Sequence, residues 1–218
     1  MTRLFFLIVL PIGFLISQII IEHYTNNHVM GKLLSENGPY EIIQFLIISS
    51  ACIVALFNVF LFKNKSKRLL VAWCITAFIC CLYVAGEEVS WGQHFFEWQT
   101  PAEWSEHNDQ NETNLHNTSS WLDQKPRLLL LLGIVLGGVV LPIIRKFKEL
   151  PLPEYILELI PPKDLMVIAL CVIVPYIADK IGEAYDLILF IRVSEIQELY
   201  MFYFVLTYLI FLKRIIRH

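Results

Sequence analysis

Apolar residues come in long blocks along this chain, separated by polar stretches. That is the pattern of helices that cross a membrane, each of which needs about 20 predominantly apolar residues. Four blocks are long and uninterrupted: Leu4 to Ile21, Ile42 to Phe62, Leu69 to Ala85 and Leu128 to Ile144. The last two, Leu165 to Ala178 and Leu199 to Leu212, give 14 residues each. To cross, the fifth must run past Asp179 and Lys180 towards Glu183, and the sixth must begin near Val193 and take in Glu195 and Glu198. The expected architecture is therefore all-α, a polytopic membrane bundle of about six helices in one domain. The spans fall near 4–21, 42–62, 69–88, 127–144, 164–183 and 193–212, with an ordered loop over 86–126 between helices three and four.

Local signals refine the elements. Gly38-Pro39 is a start signal for the second helix, and Pro11 with Gly13 makes a kink plausible in the first. Ile19-Ile20-Ile21-Glu22 is no small-residue cleavage site, so the first block reads as a retained helix, with a signal peptide as the lesser option. Gly133 and Gly137 form a GxxxG, followed by Gly138, a face that lets another helix approach closely. The same glycines are also common incidentally in membrane helices.

Composition agrees with the pattern. Hydrophobic residues make up 56% of 218 positions, mean hydropathy is +0.59 and charged residues are only 17%, where a soluble domain carries about a quarter. The net charge of −3 gives no argument for nucleic acid. Cys52, Cys74, Cys80, Cys81 and Cys171 all lie in apolar segments without a CxxC or Cys/His pattern, and read as packing residues.

Charge then sets orientation. Lys63, Lys65, Lys67 and Arg68, then Arg145, Lys146 and Lys148, then Lys213, Arg214 and Arg217, with Arg3 and Lys163, hold 12 of the 17 basic residues on one side of a six-helix arrangement. Short loops rich in Lys and Arg stay in the cytoplasm, so both termini are expected there. Sixteen of the 20 acidic residues fall on the opposite side. The sequons at Asn111 and Asn117 matter only in a secretory pathway.

The stretch GEEVSWGQHFFEWQTPAEWSEHNDQNETNLHN, Gly86 to Asn117, thereby faces outward. It holds seven of the acids, three of the six histidines and three of the five tryptophans. If helix three continues past Gly86, then Glu87, Ser90, Trp91, His94 and Trp98 share one face. Glu112 and His116 are spaced i, i+4, and Glu195 and Glu198 i, i+3, each pair on one face of a helical turn. Carboxylates within helix ends are costly unless paired or bound to a metal. A set of Glu88, Glu112, His116 and Glu198 would suit zinc, manganese or iron. Glu87, Ser90 and His94 are candidates for acid–base or nucleophilic work, with Glu41, Glu195 and Arg192 supporting them.

Plainer readings stand beside these. Glu87-Glu88 caps a helix, Trp91, Trp98, Trp104 and Trp121 form an interfacial belt, and Glu195 and Glu198 pair with Arg192 and Lys180. His23, His28 and His107 are solvated, and Glu97, Glu103, Glu106 and Asp109 form a solvated face. GxSxG, HExxH, P-loop and Rossmann patterns do not occur in the sequence.

Glu87-Glu88-Val89-Ser90-Trp91-Gly92-Gln93, then Thr100-Pro101, then Glu112-Thr113-Asn114-Leu115-His116-Asn117, resemble the signature of an uncharacterised family of bacterial polytopic membrane proteins, EE-[IV]-SWGQ … TP … N-x-Q-x-E-x-N-LHN. The likeness covers about 30 of 218 residues and implies a bacterial inner membrane but no activity. The chain is more loosely similar to the alkaline ceramidase and progestin/adiponectin-receptor superfamily, whose members hold zinc with histidines among their helices. It departs from them in having Glu195 and Glu198 where an HxxxH would stand, and six spans where seven would be expected. The leading expectation is a metal-dependent enzyme acting on a lipid or lipid-linked substrate at the outer leaflet. A non-catalytic component whose loop docks a protein partner comes second. A small transporter comes last, because helices two to four carry nothing more polar than Gln44 and Asn58 in their interiors.

Overall fold

The computed structural model describes residues 2–24, 33, 38–64, 67–106, 108, 112–115, 118, 120–148, 151–187, 190 and 193–214. It holds six helices long and apolar enough to cross a membrane: α1 (Phe5–Tyr24), α2 (Pro39–Lys63), α3 (Arg68–Glu88), α4 (Gln124–Phe147), α5 (Lys163–Ala184) and α6 (Val193–Leu212). No strand occurs among the described residues. The two short apolar blocks do extend through their acidic ends, α5 past Glu183 and α6 from Val193.

Helix α6 is the centre of the bundle. About two-thirds of its window, 67%, is buried, against 17% for α1 and for α4. Its core residues include Ile196, Tyr200, Met201, Phe204 and Leu209. Lipid tails are as apolar as these side chains, so helix association in a membrane rests on close packing and interhelical hydrogen bonds. Both are present. Gln44 Nε2 of α2 donates to Glu195 O of α6 at 3.0 Å. Fourteen residues further along both helices, Asn58 Nδ2 donates to Leu209 O at 2.8 Å. Equal steps in the same direction make α2 and α6 parallel neighbours, clamped at two points about 21 Å apart.

Two helices change register for the same reason. In α1 a π-turn over Phe5–Val9 ends with Leu10 N–H bonded to Phe5 O, and in α4 a π-turn over Val135–Val140 ends with Leu141 N–H bonded to Leu136 O. Each is followed at once by a proline, Pro11 or Pro142, whose ring clashes with the preceding turn and which has no N–H to give. In the π register Phe6 O would be served by residue 11. The Tyr203 hydroxyl of α6 donates to it instead, at 2.7 Å, and Tyr200 OH donates to Pro11 O at 2.7 Å. The α1 backbone is thus tied to α6 where proline weakens it.

Close approach of α4 comes from two of the three glycines. A Cβ on Gly138 would lie 2.8 Å from Ala169 Cβ and 3.0 Å from the Phe204 ring, and one on Gly137 would lie 3.2 Å from Pro161. Gly133 has nothing within 4 Å, so the contact is built on Gly137-Gly138 and not on the GxxxG pair. At the basic end, Arg3 pairs with Asp164 and Lys67 with Glu158. The five cysteines are free thiols, all but Cys80 buried.

Candidate functional site

Helix α3 stops at Glu88 and does not continue into the motif. Val89 leaves helical geometry, and Ser90, Trp91 and Gly92 follow with φ of 45°, 57° and 106°. Three successive left-handed residues reverse the chain, so the expected helical face of Glu87, Ser90, Trp91, His94 and Trp98 is not formed. Only Gly92 adopts this geometry without steric cost. Ser90 and Trp91 are held there by what their side chains reach.

Trp91 folds back on the helix it has just left. Its ring lies on Gly86, where a Cβ would be 2.8 Å from the indole, and packs edge-on to Tyr83. Its Nε1 donates to Glu87 Oε1 at 2.6 Å. The other Glu87 oxygen, Oε2, accepts from Leu115 N–H at 2.7 Å, which ties the far edge of the motif to the end of α3. Glu87 is 4% exposed.

Ser90 is wholly buried. Its Oγ donates to Glu112 Oε2 at 2.6 Å and accepts from Asn114 Nδ2 at 3.0 Å. Asn114 Nδ2 also reaches Glu112 Oε2 at 2.6 Å. Asn108 closes the ring, donating to Asn114 Oδ1 at 2.9 Å and accepting from Glu112 N–H at 3.1 Å. Beside it, Gln93 Oε1 accepts from Thr113 N–H at 2.7 Å and its Nε2 donates to Thr100 Oγ1 at 2.9 Å. Glu87, Ser90, Gln93, Thr100, Glu112, Thr113 and Asn114 of the motif are therefore one hydrogen-bonded knot. These bonds join residues 87–100 to residues 108–115, which makes the knot a lock on the loop.

Glu88 takes no part in that knot. It lies within electrostatic reach of Glu198, Glu195, Glu41 and Arg127. The group draws on four helices: Glu41 from the first turn of α2, Glu88 from the last turn of α3, Arg127 from α4, and Glu195 with Glu198 from the start of α6. Arg127 pairs with Glu198, and Gln44 Nε2 reaches Glu195 Oε2 at 3.4 Å. Lys180, an expected partner of the α6 acids, pairs with Glu183 of its own helix at 2.7 Å. A cluster of carboxylates at the edge of a low-dielectric layer calls for compensating cations, and Arg127 supplies one.

Of the expected ligands, Glu88 and Glu198 come together, with Glu41 and Glu195 beside them, while Glu112 is held in the knot by Ser90 and Asn114. Among the described residues no three His, Cys, Asp or Glu side chains stand close enough together to hold a metal ion. His116 and Arg192 lie outside the described residues. His94 sits in the short helical turn Gln93–Phe96 that follows the reversal.

Two participants carried little signal in the sequence. Arg127 is one of few basic residues away from the basic loops, which is its one clue. Gln44 is a polar residue inside an otherwise apolar block, three positions after Glu41 and so on the same face.

No protein-family model, no curated protein and no solved structure matches this chain.

Proposed function

We propose that this protein is a membrane-embedded enzyme of a bacterial inner membrane, acting on a lipid or lipid-linked substrate at the outer leaflet. In this reading the basic end and both termini are cytoplasmic, as the distribution of Lys and Arg favours. The acidic end, with the motif, faces out. Glu88 and Glu198 are the working groups, suited to moving a proton to and from a headgroup. Glu41, Glu195 and Arg127 set the charge around them, and the Ser90–Glu112–Asn114 knot holds the loop against the site.

The observation that carries this reading is the gathering of Glu41, Glu88, Glu195 and Glu198 from three helices around Arg127. Ionisable groups within membrane-spanning segments are expensive, and function is the usual reason for keeping them. Glu87 and the knot fasten the connector to the end of α3 through other side chains. The test is to reconstitute the protein in vesicles of mixed bacterial lipids and follow lipid products by mass spectrometry. Wild type is expected to turn over a lipid. Glu88→Gln, which keeps size and removes the proton-transfer group, should lower the rate by about a hundredfold or more. Equal turnover by both would end the proposal.

A second reading is favoured by a specific observation. Trp91, Phe95, Phe96 and Trp98 are exposed on the same segment, Phe96 at 78%, with Phe96 stacked on Trp98. A protein partner docked on these rings would make the chain a non-catalytic component. In that case a partner recovered with wild type is lost with Trp98→Ala, while Glu88→Gln retains it.

A further inference from the structure

The connector after α3 turns back on the bundle twice, and between the two turns it carries exposed rings. The first reversal is Ser90, Trp91 and Gly92, and the second is Glu97, at φ 51°. Between them lies the single helical turn Gln93–Phe96. Trp91 is 50% exposed, Phe95 62%, Phe96 78% and Trp98 39%. Two of these rings are packed against the spans. Phe95 lies on Phe45 of α2, with centroids 5.9 Å apart, and Trp91 lies on Tyr83 of α3 at 6.2 Å. Phe45 is six residues into α2 and Tyr83 five residues before the end of α3, about 9 Å and about 7 Å in from those helix ends. Helices of 25 and 21 residues are about 37 and 31 Å long, against a hydrocarbon layer of about 30 Å. Centred in that layer, α2 overshoots by about 4 Å at each end, so Phe45 stands about 5 Å below the boundary. Side chains lean towards their own helix's N-terminus, which lifts the Phe45 ring towards the boundary and sinks the Tyr83 ring below it.

We infer that Trp91, Phe95, Phe96 and Trp98 are seated in the lipid leaflet at the acidic end of the bundle, which makes this connector a re-entrant elbow covered by acyl chains. The elbow continues a surface that already faces lipid. Ile42 and Leu46 beside Phe45 are 53% and 57% exposed, and Leu82 beside Tyr83 is 50% exposed. The rings also show that surface nothing polar. An interfacial tryptophan commonly keeps its N–H for the headgroups, but here Trp91 Nε1 donates to Glu87 at 2.6 Å and Trp98 Nε1 to Thr113 Oγ1 at 3.2 Å. Backbone near hydrocarbon has to meet its own hydrogen bonds. In the elbow Gly92 N–H donates to Val89 O and Glu97 N–H to Gln93 O, each at 2.8 Å, and Gln93 Nε2 donates to Trp98 O at 3.1 Å. Glu97 is exposed and sets the depth: the backbone stays at headgroup level with its charge wet, and the rings reach below. The inference goes beyond the proposed enzyme and holds for either direction of insertion. It leaves a protein partner no bare ring to dock on.

The experiment is site-directed spin labelling of the full-length protein in dioleoyl-phosphatidylcholine vesicles, with no other protein present. A Cys80→Ala background removes the one exposed thiol, and single labels are placed at Phe96→Cys, Ser105→Cys and Ile79→Cys. Phe96 is 78% exposed and Ile79 59%, so neither change opens the core. Collision with oxygen reports lipid, and collision with a water-soluble nickel chelate reports solvent. A Phe96 label seated about 5–10 Å into the leaflet should favour oxygen over nickel about tenfold more than the Ser105 label does. It should approach the ratio of the Ile79 label, which lies midway along α3 and checks that the protein is inserted. A Phe96 label as open to nickel as the Ser105 label would overturn the inference and give the rings to a protein partner. A Phe96 label that neither reagent reaches would also overturn it, because another stretch of the chain or a second copy would then cover the rings. Lipid turnover plays no part in the measurement, so the enzyme reading stands or fails separately.

Discussion

Glu87 and Glu88, neighbours in the chain, serve different structures. The Glu87 carboxylate accepts from the Trp91 indole at 2.6 Å and from Leu115 N–H at 2.7 Å, locking the connector to the end of α3. The Glu88 carboxylate lies within electrostatic reach of Glu41, Glu195, Glu198 and Arg127. One acid builds the loop and the other belongs to the cluster between the helices, and the two roles separate by substitution.

Glu87→Gln replaces an oxygen that accepts a bond with an NH2 that cannot. The cost is expected at about 1–3 kcal/mol, expressed locally as a loosened connector. Limited proteolysis checks this: cleavage between residues 93 and 115 should speed up in Glu87→Gln and stay at the wild-type rate in Glu88→Gln. The opposite order would reverse the assigned roles.

Ser90→Ala removes the donor to Glu112 and the acceptor of Asn114 inside a buried ring, and keeps a side chain at φ 45°. We expect a lower melting temperature in detergent, from a loss of about 1–3 kcal/mol. Gly92→Ala should also destabilise, because φ is +106° and its Cβ would sit 3.3 Å from the Trp98 ring. If Ser90→Ala melted like wild type and lost all activity, Ser90 would be a nucleophile and not part of a lock.

Gly138→Ala and Gly133→Ala form a matched pair in α4. The first places a methyl 2.8 Å from Ala169 Cβ and is expected to cost about 1–3 kcal/mol by overpacking. The second meets nothing within 4 Å and should be neutral or gain up to about 1 kcal/mol from helix propensity. Melting temperatures of the two variants, measured side by side, check the α4–α5 contact.

Orientation is checked by labelling. A membrane-impermeant thiol reagent applied to intact cells should modify Ser105→Cys, in the exposed turn Ala102–Ser105, and should not modify Lys146→Cys at the basic end. Labelling of Lys146→Cys alone would invert the topology.

The spans were legible because a membrane helix is written in block length and apolarity. Even the acidic starts and ends of α5 and α6 followed from the need for about 20 residues. The break after Glu88 was not legible. Val89-Ser90-Trp91 holds no glycine or proline, and only Gly92 hints at a left-handed residue. The reversal is held by Glu112 and Asn114, more than 20 residues away, which local propensity cannot report. For the same reason the Glu112 and His116 spacing suggested a ligand pair, while Glu112 Oε2 accepts from Ser90 and from Asn114, each at 2.6 Å. The pairing of Arg127 with Glu198 likewise depends on which helices are neighbours, and block lengths do not say.

The most direct test of the central claim, that the Glu88 cluster is the working site and the Glu87 knot its support, is a comparison of total lipid profiles in a bacterial host. The host would express wild type, Glu88→Gln or Glu198→Gln at matched membrane abundance. The account predicts that wild type shifts the lipid profile and that both variants leave it at the level of the empty host. Variants that shift the profile as far as wild type would contradict it.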